Sequence, residues 1–450
     1  MSAPETTERP VLRPFMTAHK DFASGADTPH AFLERCLKAL DHWEPKIDAF
    51  VNLNIEGARA AANRSTERWR EGRPLSPIDG MPIGIKDIIE TIDMPTENGS
   101  PLFAGCRTER DAAGVVALRE AGAVILGKTV TTEFAATFPG DTRNPWDVRR
   151  TPGGSSSGSA AAVATGMVSG ALGTQVIGST IRPASFCGCF GFKPTVGALN
   201  RGGSHDGLSQ SSTGTIAATL EEAWQLAYEI AKRAGGDPGY PGLYGPDRAP
   251  AAKKPQRIAV LETAGWSVAS SGARQAIADA IQRMKAAGVE ILARKSDPKV
   301  EAIERLIAGV NDPSRSINAW EGRWPLNTYR DRDATLLSKP ARDRLAQAEA
   351  MSLDNYRTLI AQRDKARAQF TELSSACDVC VSLSAIGAAP IGLESTGNPI
   401  CTVHTSYLGI PAISLPVLQD EGLPLGLQVT GFANGDAAAF AAAAWIKTLF

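Results

Sequence analysis

The residues best placed to do chemistry in this chain are serines in two glycine-rich segments. The first reads Gly153-Gly154-Ser155-Ser156-Ser157-Gly158-Ser159 and runs at once into the small-residue stretch Ala160 to Met167. A flexible linker shares that composition. A linker is not, however, followed directly by a packed helix, nor preceded by Thr151-Pro152-Gly153. The order predicts a loop held tight at a helix N-terminus, offering clustered hydroxyls and backbone N–H groups to a developing oxyanion. The second segment is Gly178-Ser179-Thr180-Ile181-Arg182-Pro183, where one serine stands between a glycine and a proline-constrained stretch.

Other motifs offer different chemistry. Gly122-Ala-Val-Ile-Leu-Gly127-Lys128-Thr129 has the spacing of a phosphate-binding loop. Its middle is itself a buried-strand sequence and no flexible cradle of N–H groups, so Lys128 reads as structural. Gly154-Ser155-Ser156-Ser157-Gly158 fits the nucleophile elbow of an α/β-hydrolase esterase, with Ser156 as nucleophile. That motif needs a strand leading into it, and the preceding residues are rich in Pro, Asp and Arg instead. It also needs a later histidine, for which only His205 and His404 are available. This esterase is kept as an alternative. Cys377-x-x-Cys380 and Cys187-x-Cys189 lack a second Cys/His pair at finger spacing. Seven unevenly spaced cysteines read as reduced thiols. No metal or cofactor is expected.

The chain has 450 residues, with 47 Lys+Arg against 48 Asp+Glu and a net charge of −1. That balance argues against a broad basic surface for nucleic acid and against a polybasic membrane anchor. No apolar run reaches the ~18 residues of a membrane span. Met1 to Thr17 lacks the basic and apolar regions of a signal peptide. A cytoplasmic enzyme without a nucleic-acid or membrane partner is expected.

The elements that must position the serines follow from periodicity. Residues 28–70 read as helices, with Ala31, Leu33, Leu37 and Leu40 at helical spacing. A short helix over 112–121 precedes the buried strand Ala123 to Leu126. The small-residue helix follows the first serine segment, and 219–234 is amphipathic. Arg257 to Glu262, 272–287 and Val289 to Leu292 alternate strand, helix and strand, which predicts a mainly parallel sheet. Residues 298–370 are polar and helical, and strands return at 377–383, Pro411 to Pro416 and Leu425 to Thr430.

Taken together, these segments resemble the amidase signature family. Asp79-Gly80-Met81-Pro82-Ile83-Gly84-Ile85-Lys86-Asp87 is similar to its lysine motif, and residues 153–159 to its Gly/Ser stretch. Gly178-Ser179 through Pro183-Ala184 is similar to its nucleophile segment, with Gly191-Phe192-Lys193-Pro194-Thr195 following. Gly409 to Pro416 and Gly422 to Gln428 resemble its C-terminal strands. The match covers about 20–230 and 375–445. The resemblance implies an α/β fold: a mixed, mainly parallel central sheet covered by helices on both faces. It implies one domain over 1–450, with N-terminal helices at 1–70 and a catalytic core at 71–230. A variable substrate-pocket region would span 235–375, and C-terminal core strands and a helix 376–450.

Carried over residue by residue, the resemblance implies a catalytic triad of Lys86, Ser155 and Ser179, with Ser155 on a cis peptide. It implies an oxyanion hole from the backbone N–H groups of Val176, Ile177, Gly178 and Ser179. Two residues depart from the commoner pattern: Gln175 stands where the family often has Asp, and Ile177-Gly178 where it has a Gly pair. The chemistry is consistent. A serine hydroxyl needs a base in reach, and lysine is a base only when neutral, which requires burial away from anions. The apolar run Met81 to Ile85 suits burial, and Asp87 points the other way along a strand.

The expected function is hydrolysis of a carbon–nitrogen bond in a small apolar or aryl amide or carbamate, as in stand-alone and urethanase-type members. Gly154, Ser156, Trp320, Trp324 and Tyr329 are candidate substrate-binding residues, the aromatics as an apolar mouth. The alternative of the same fold is the glutaminase subunit of a tRNA amidotransferase. The Thr174-Gln175 and Ile181-Arg182-Pro183 forms fit that subunit less well. A homodimer is implied by the resemblance.

Overall fold

The computed structural model describes residues 9–450. Its strands are β1 (Phe50–Leu53), β2 (Pro82–Lys86), β3 (Val124–Thr129), β4 (Gly170–Gln175), β5 (Phe190–Lys193) and β6 (Ser212–Ala217). They continue with β7 (Arg257–Val260), β8 (Glu290–Ala293), β9 (Val379–Leu383), β10 (Ala412–Asp420) and β11 (Leu423–Thr430). All join one sheet in the order β1-β3-β2-β4-β6-β5-β10-β11-β9-β7-β8. This is the mixed α/β sheet expected, with the parallel pairing gathered in two blocks, β3-β2-β4 and β9-β7-β8. The strands between the blocks pair antiparallel. Part of the cause is local. Glu421 and Gly422 adopt φ of 52° and 74°, a two-residue left-handed turn that folds β11 back on β10.

Helices cover both faces. Ile125 of β3 packs with Ile83, Ile85 and Leu172 in one core, against the helices Ala113–Glu120 and Leu220–Ala234. Val124 and Leu126 enter the opposite core, with the helices Pro29–Ile47 and Ser157–Ala164. Successive strand residues face opposite sides. Since Ile83 and Ile85 fill the first core, Gly84 and Lys86 turn toward the second, where the serine segment lies.

The helices read across 28–70 are Pro29–Ile47 and Ile55–Arg70, with β1 between them. Thr28 caps the first, accepting the Ala31 N–H at 3.1 Å with Pro29 at the first helical position. Asp48, at φ 52°, ends it. The next residues, Phe50 and Val51, favour a strand and pair at the sheet edge with β3. Strands β4, β5 and β6 carried no strand pattern. Gly170-Ala-Leu-Gly-Thr-Gln and Ser212-Thr-Gly-Thr-Ile-Ala are buried along their whole length. Small residues there let helices approach both faces, so packing overrides propensity.

The helix Ser157–Ala164 is the element that aims the serines. All eight of its residues are buried. A Cβ on Gly158 would lie 2.1 Å from the Ala49 carbonyl oxygen and 2.4 Å from the Val130 nitrogen. Only glycine allows this helix start to press against the end of β3, where the Gly158 N–H donates to the Val130 carbonyl at 3.1 Å.

Candidate active site

The hydroxyls of the Gly/Ser segment all have partners, which sets aside a linker. Ser157 Oγ donates to the Val130 carbonyl at 3.3 Å. Ser159 Oγ donates to the Leu172 carbonyl at 3.0 Å and pairs with Thr129 Oγ1 at 2.7 Å. Ser156 Oγ bonds the Thr174 peptide, at 3.4 Å to its carbonyl and to its N–H. Ser156 is fully buried in that role, and no histidine is hydrogen-bonded to it among the described residues. The nucleophile elbow therefore lacks both its strand and its base. His404 is buried with neither ring nitrogen partnered, and burial pulls its pKa down to about 4.

Ser155 differs from its neighbours because it turns to the end of β2. Lys86 Nζ lies 2.6 Å from Ser155 Oγ and 2.9 Å from Thr174 Oγ1, at the end of β4. As an ammonium it would donate to both. As a neutral amine it donates to Thr174 and accepts the Ser155 proton. Lys86 has no exposed surface, and burial brings its pKa from 10.5 to about 7, opposed only by the charge of Asp206. Asp87, next in sequence, does not hold it charged. Asp87 instead pairs at 3.1 Å with Lys128 of β3, both fully buried. Lys128 also donates to Thr96 Oγ1 at 2.6 Å, and the Glu97 N–H donates to Asp87. Burial pushes Asp87 up to about 6 against the pull of Lys128. The structural role read for Lys128 is thus specific: it pairs with Asp87, the carboxylate next in sequence to Lys86, and Lys86 itself forms no ion pair among the described residues.

One stability prediction arises here. Lys128→Met strands a buried carboxylate and costs about 3–5 kcal/mol. Adding Asp87→Asn restores much of that loss. Urea unfolding of the single and double variants checks this; a single-variant cost under about 1 kcal/mol rejects the pairing as a stabilising element.

Ser179 lies after β4 and before the helix Ile181–Cys187. The Ser156 N–H donates to its carbonyl at 3.2 Å, which ties the two serine segments together. Gln175 shapes the turn between them. Its Oε1 accepts the N–H groups of Thr180 (3.1 Å) and Ile181 (3.0 Å). Its amide donates to Thr405 and Ser406. The N–H groups of Val176, Ile177, Gly178 and Ser179 are left without an acceptor among the described residues, and these four residues line a cavity of about 440 Å³. Gly178 has a packing reason, since a Cβ there would lie 2.3 Å from Thr402 Oγ1.

Arg182 drew no role from the sequence pattern. Its Nη2 donates to the Gly154 carbonyl at 2.6 Å and its Nε to the Thr396 carbonyl at 2.8 Å. It thereby clamps the peptide before Ser155, and the Gly154–Ser155 bond is cis. Gly154 is packed against Thr396, 2.6 Å from where a Cβ would stand. Thr174 and Asp206 were equally silent in the sequence, because no spacing rule links them to the lysine.

The three aromatic candidates lie outside the cavity lining. Trp320 stacks on Tyr356 at 5.5 Å, and the Arg323 guanidinium lies 4.5 Å from its ring centroid. Trp324 is 72% exposed. Tyr329 stacks on Phe134 at 5.1 Å and on His205 at 5.9 Å. The aromatic rings find one another, as flat apolar surfaces do. The cavity takes its far wall from polar residues of the same region, Arg315, Asn318, Arg344 and Gln347.

The chain matches the Amidase family over residues 31–439. It is 32% identical, over 92% of its length and 91% of the relative's, to a glutamyl-tRNA(Gln) amidotransferase subunit of Chloroflexus aggregans (strain MD-66 / DSM 9485). An amidase crystal structure superposes with a TM-score of 0.84 at 26% identity, covering 97% of this chain and 99% of that one. Native peptide amidase from Stenotrophomonas maltophilia superposes with a TM-score of 0.77 at 25% identity, covering 95% of each chain. No helix among the described residues is long and apolar enough to cross a membrane.

Proposed function

The chain belongs to the amidase (amidase signature) family and is an amide carbon–nitrogen hydrolase, and from that premise we propose that it cleaves a small amide or carbamate through an acyl–Ser179 intermediate. The observation that carries this reading is the fully buried Lys86, 2.6 Å from Ser155 Oγ and without a paired anion. Neutral Lys86 takes the Ser155 proton while Ser155 takes the proton of Ser179, whose Oγ attacks the carbonyl carbon. The N–H groups of residues 176–179 receive the oxyanion, each such donor being worth ~10²–10³ in rate. The proton returns through Ser155 to the leaving nitrogen as the carbon–nitrogen bond breaks. Water then enters, loses its proton along the same path, and releases the acid. The test is incubation with a fluorophosphonate followed by mass spectrometry of the adduct. The reading expects the label on Ser179, and a label on Ser156 or none at all rejects it.

A second reading, a glutaminase subunit of a tRNA amidotransferase, is favoured by the 32% identity to the Chloroflexus amidotransferase protein. The two separate on the isolated chain. The amidase reading expects turnover of simple amides or carbamates without a partner. Glutamine hydrolysis that appears only with partner subunits and tRNA supports the second.

A further inference from the structure

The cavity beside Ser179 is lined by three arginines, Arg182, Arg315 and Arg344, against one acid, Asp343. Asp343 is exposed and already paired with Lys339 at 2.5 Å. Arg182 is 4% exposed, and among the described residues its Nη1 has no partner and its Nε and Nη2 bond neutral oxygens only. Among the described residues Arg315 has one hydrogen-bond partner, the neutral Asn311 Oδ1 at 3.2 Å. Arg344 has a buried Nε with no acceptor among the described residues. Asp206 and Glu133 face it electrostatically without a hydrogen bond, and Glu133 is turned to the Ser338 N–H and hydroxyl. The charge of Arg315 adds to burial in pulling Arg182 down to about 9, so the two cations repel across the site.

Like charges gathered in a cavity without paired acids are costly, and an anion placed between them relieves the repulsion. A guanidinium fork matches a carboxylate in shape and donates two bonds at once. The volume suits a small molecule, and its floor is the segment that carries Ser179. We propose that the substrate is an amide bearing a carboxylate, and that Arg315 and Arg344 bind this carboxylate while Arg182 supplies fixed positive charge behind them. This inference rests on Ser179 as the reacting group and replaces the apolar or aryl amide expected from the sequence.

A matched pair of substrates tests it. Succinamate and butyramide are close in size and differ by the charge. The wild type prefers succinamate in kcat/KM by about tenfold or more, the worth of one charge-assisted hydrogen bond. Arg315→Gln and Arg344→Gln each reduce that preference by about tenfold, and Arg344→Lys restores part of it. A preference that is absent, or unmoved by both variants, overturns the proposal. A second measurement does not need turnover. Succinate binding to Ser179→Ala protein is followed by calorimetry, with and without Arg344→Gln. A Kd weakened about tenfold supports the subsite, and no binding, or an unchanged Kd, rejects it. Persistence of amide turnover in Ser179→Ala alone instead overturns the mechanism and leaves the binding result to judge the subsite.

Discussion

Ser179→Ala protein is expected to be folded and inactive, with kcat reduced by about 10⁴-fold or more. The size follows from losing the covalent route altogether, since the oxyanion donors and binding that remain supply only the residual rate. The fold survives because the side chain supports nothing else. Ser179 faces the cavity, and its hydroxyl takes part in no hydrogen bond among the described residues. Its carbonyl, which holds the Ser156 N–H, is untouched by the substitution. Urea unfolding of the variant therefore stays within about 0.5 kcal/mol of wild type. Activity above about 1% of wild type, measured in protein freed of wild-type carry-over, removes Ser179 from the nucleophile's role.

Lys86→Met is the companion case, with an equally large expected loss of activity but a gain in stability where Ser179→Ala is neutral. The pH dependence gives the sign. Below about 7 the amine holds its proton and has no lone pair for Ser155. Wild-type kcat/KM therefore rises about tenfold per pH unit below 7 and levels off above it. Stability runs by the same arithmetic. The unfolded chain keeps the lysine protonated up to its ordinary value near 10.5, while the folded chain releases the proton near 7. Between those values the unfolded state holds more protons, so this group's cost to stability shrinks as pH rises. At pH 7 the cost is nearly whole. Methionine removes it and forfeits hydrogen bonds worth about 1 kcal/mol each, so the variant unfolds at a higher midpoint. Lys86→Arg is as inactive as the methionine variant, because a guanidinium does not deprotonate. A flat activity profile from pH 6 to 8, or an active Lys86→Met, removes the lysine as base.

The two expectations together rest on a division of labour at the end of β2. Lys86 is the last residue of β2 and Asp87 the first of the turn that follows, and their side chains meet different partners. The acid is captured by Lys128, and the base is left uncharged beside Ser155.

Much of this was legible from the residues alone. The order of the lysine motif, the Gly/Ser stretch and the segment around Ser179 carried the resemblance, and local pattern found the helix that begins at Ser157 and the strand pair around 257–292. Other signals failed. β4 and β6, Gly170-Ala-Leu-Gly-Thr-Gln and Ser212-Thr-Gly-Thr-Ile-Ala, are rich in small residues and show no alternation of apolar and polar side chains, and β5, Phe190-Gly-Phe-Lys, is only four residues long. β4 and β6 become strands because helices press on both faces, where small side chains fit. The aromatic residues misled for the reverse reason: Trp320, Trp324 and Tyr329 suggested a binding wall by type, but stacking and exposure are decided by neighbours far along the chain.

What the sequence by itself determined is the inventory: a lysine after an apolar strand, serines before a small-residue helix, and a glycine wherever backbone had to touch backbone. What only the tertiary structure decided is the state of those groups. Whether an amine is charged depends on which carboxylates lie near it in space and on how much water reaches it, and both are sums over residues hundreds of positions apart. The same holds for the arginines beside Ser179. They lie at 182, 315 and 344 in the chain, and they become one positive cavity wall only when the helices bring them together.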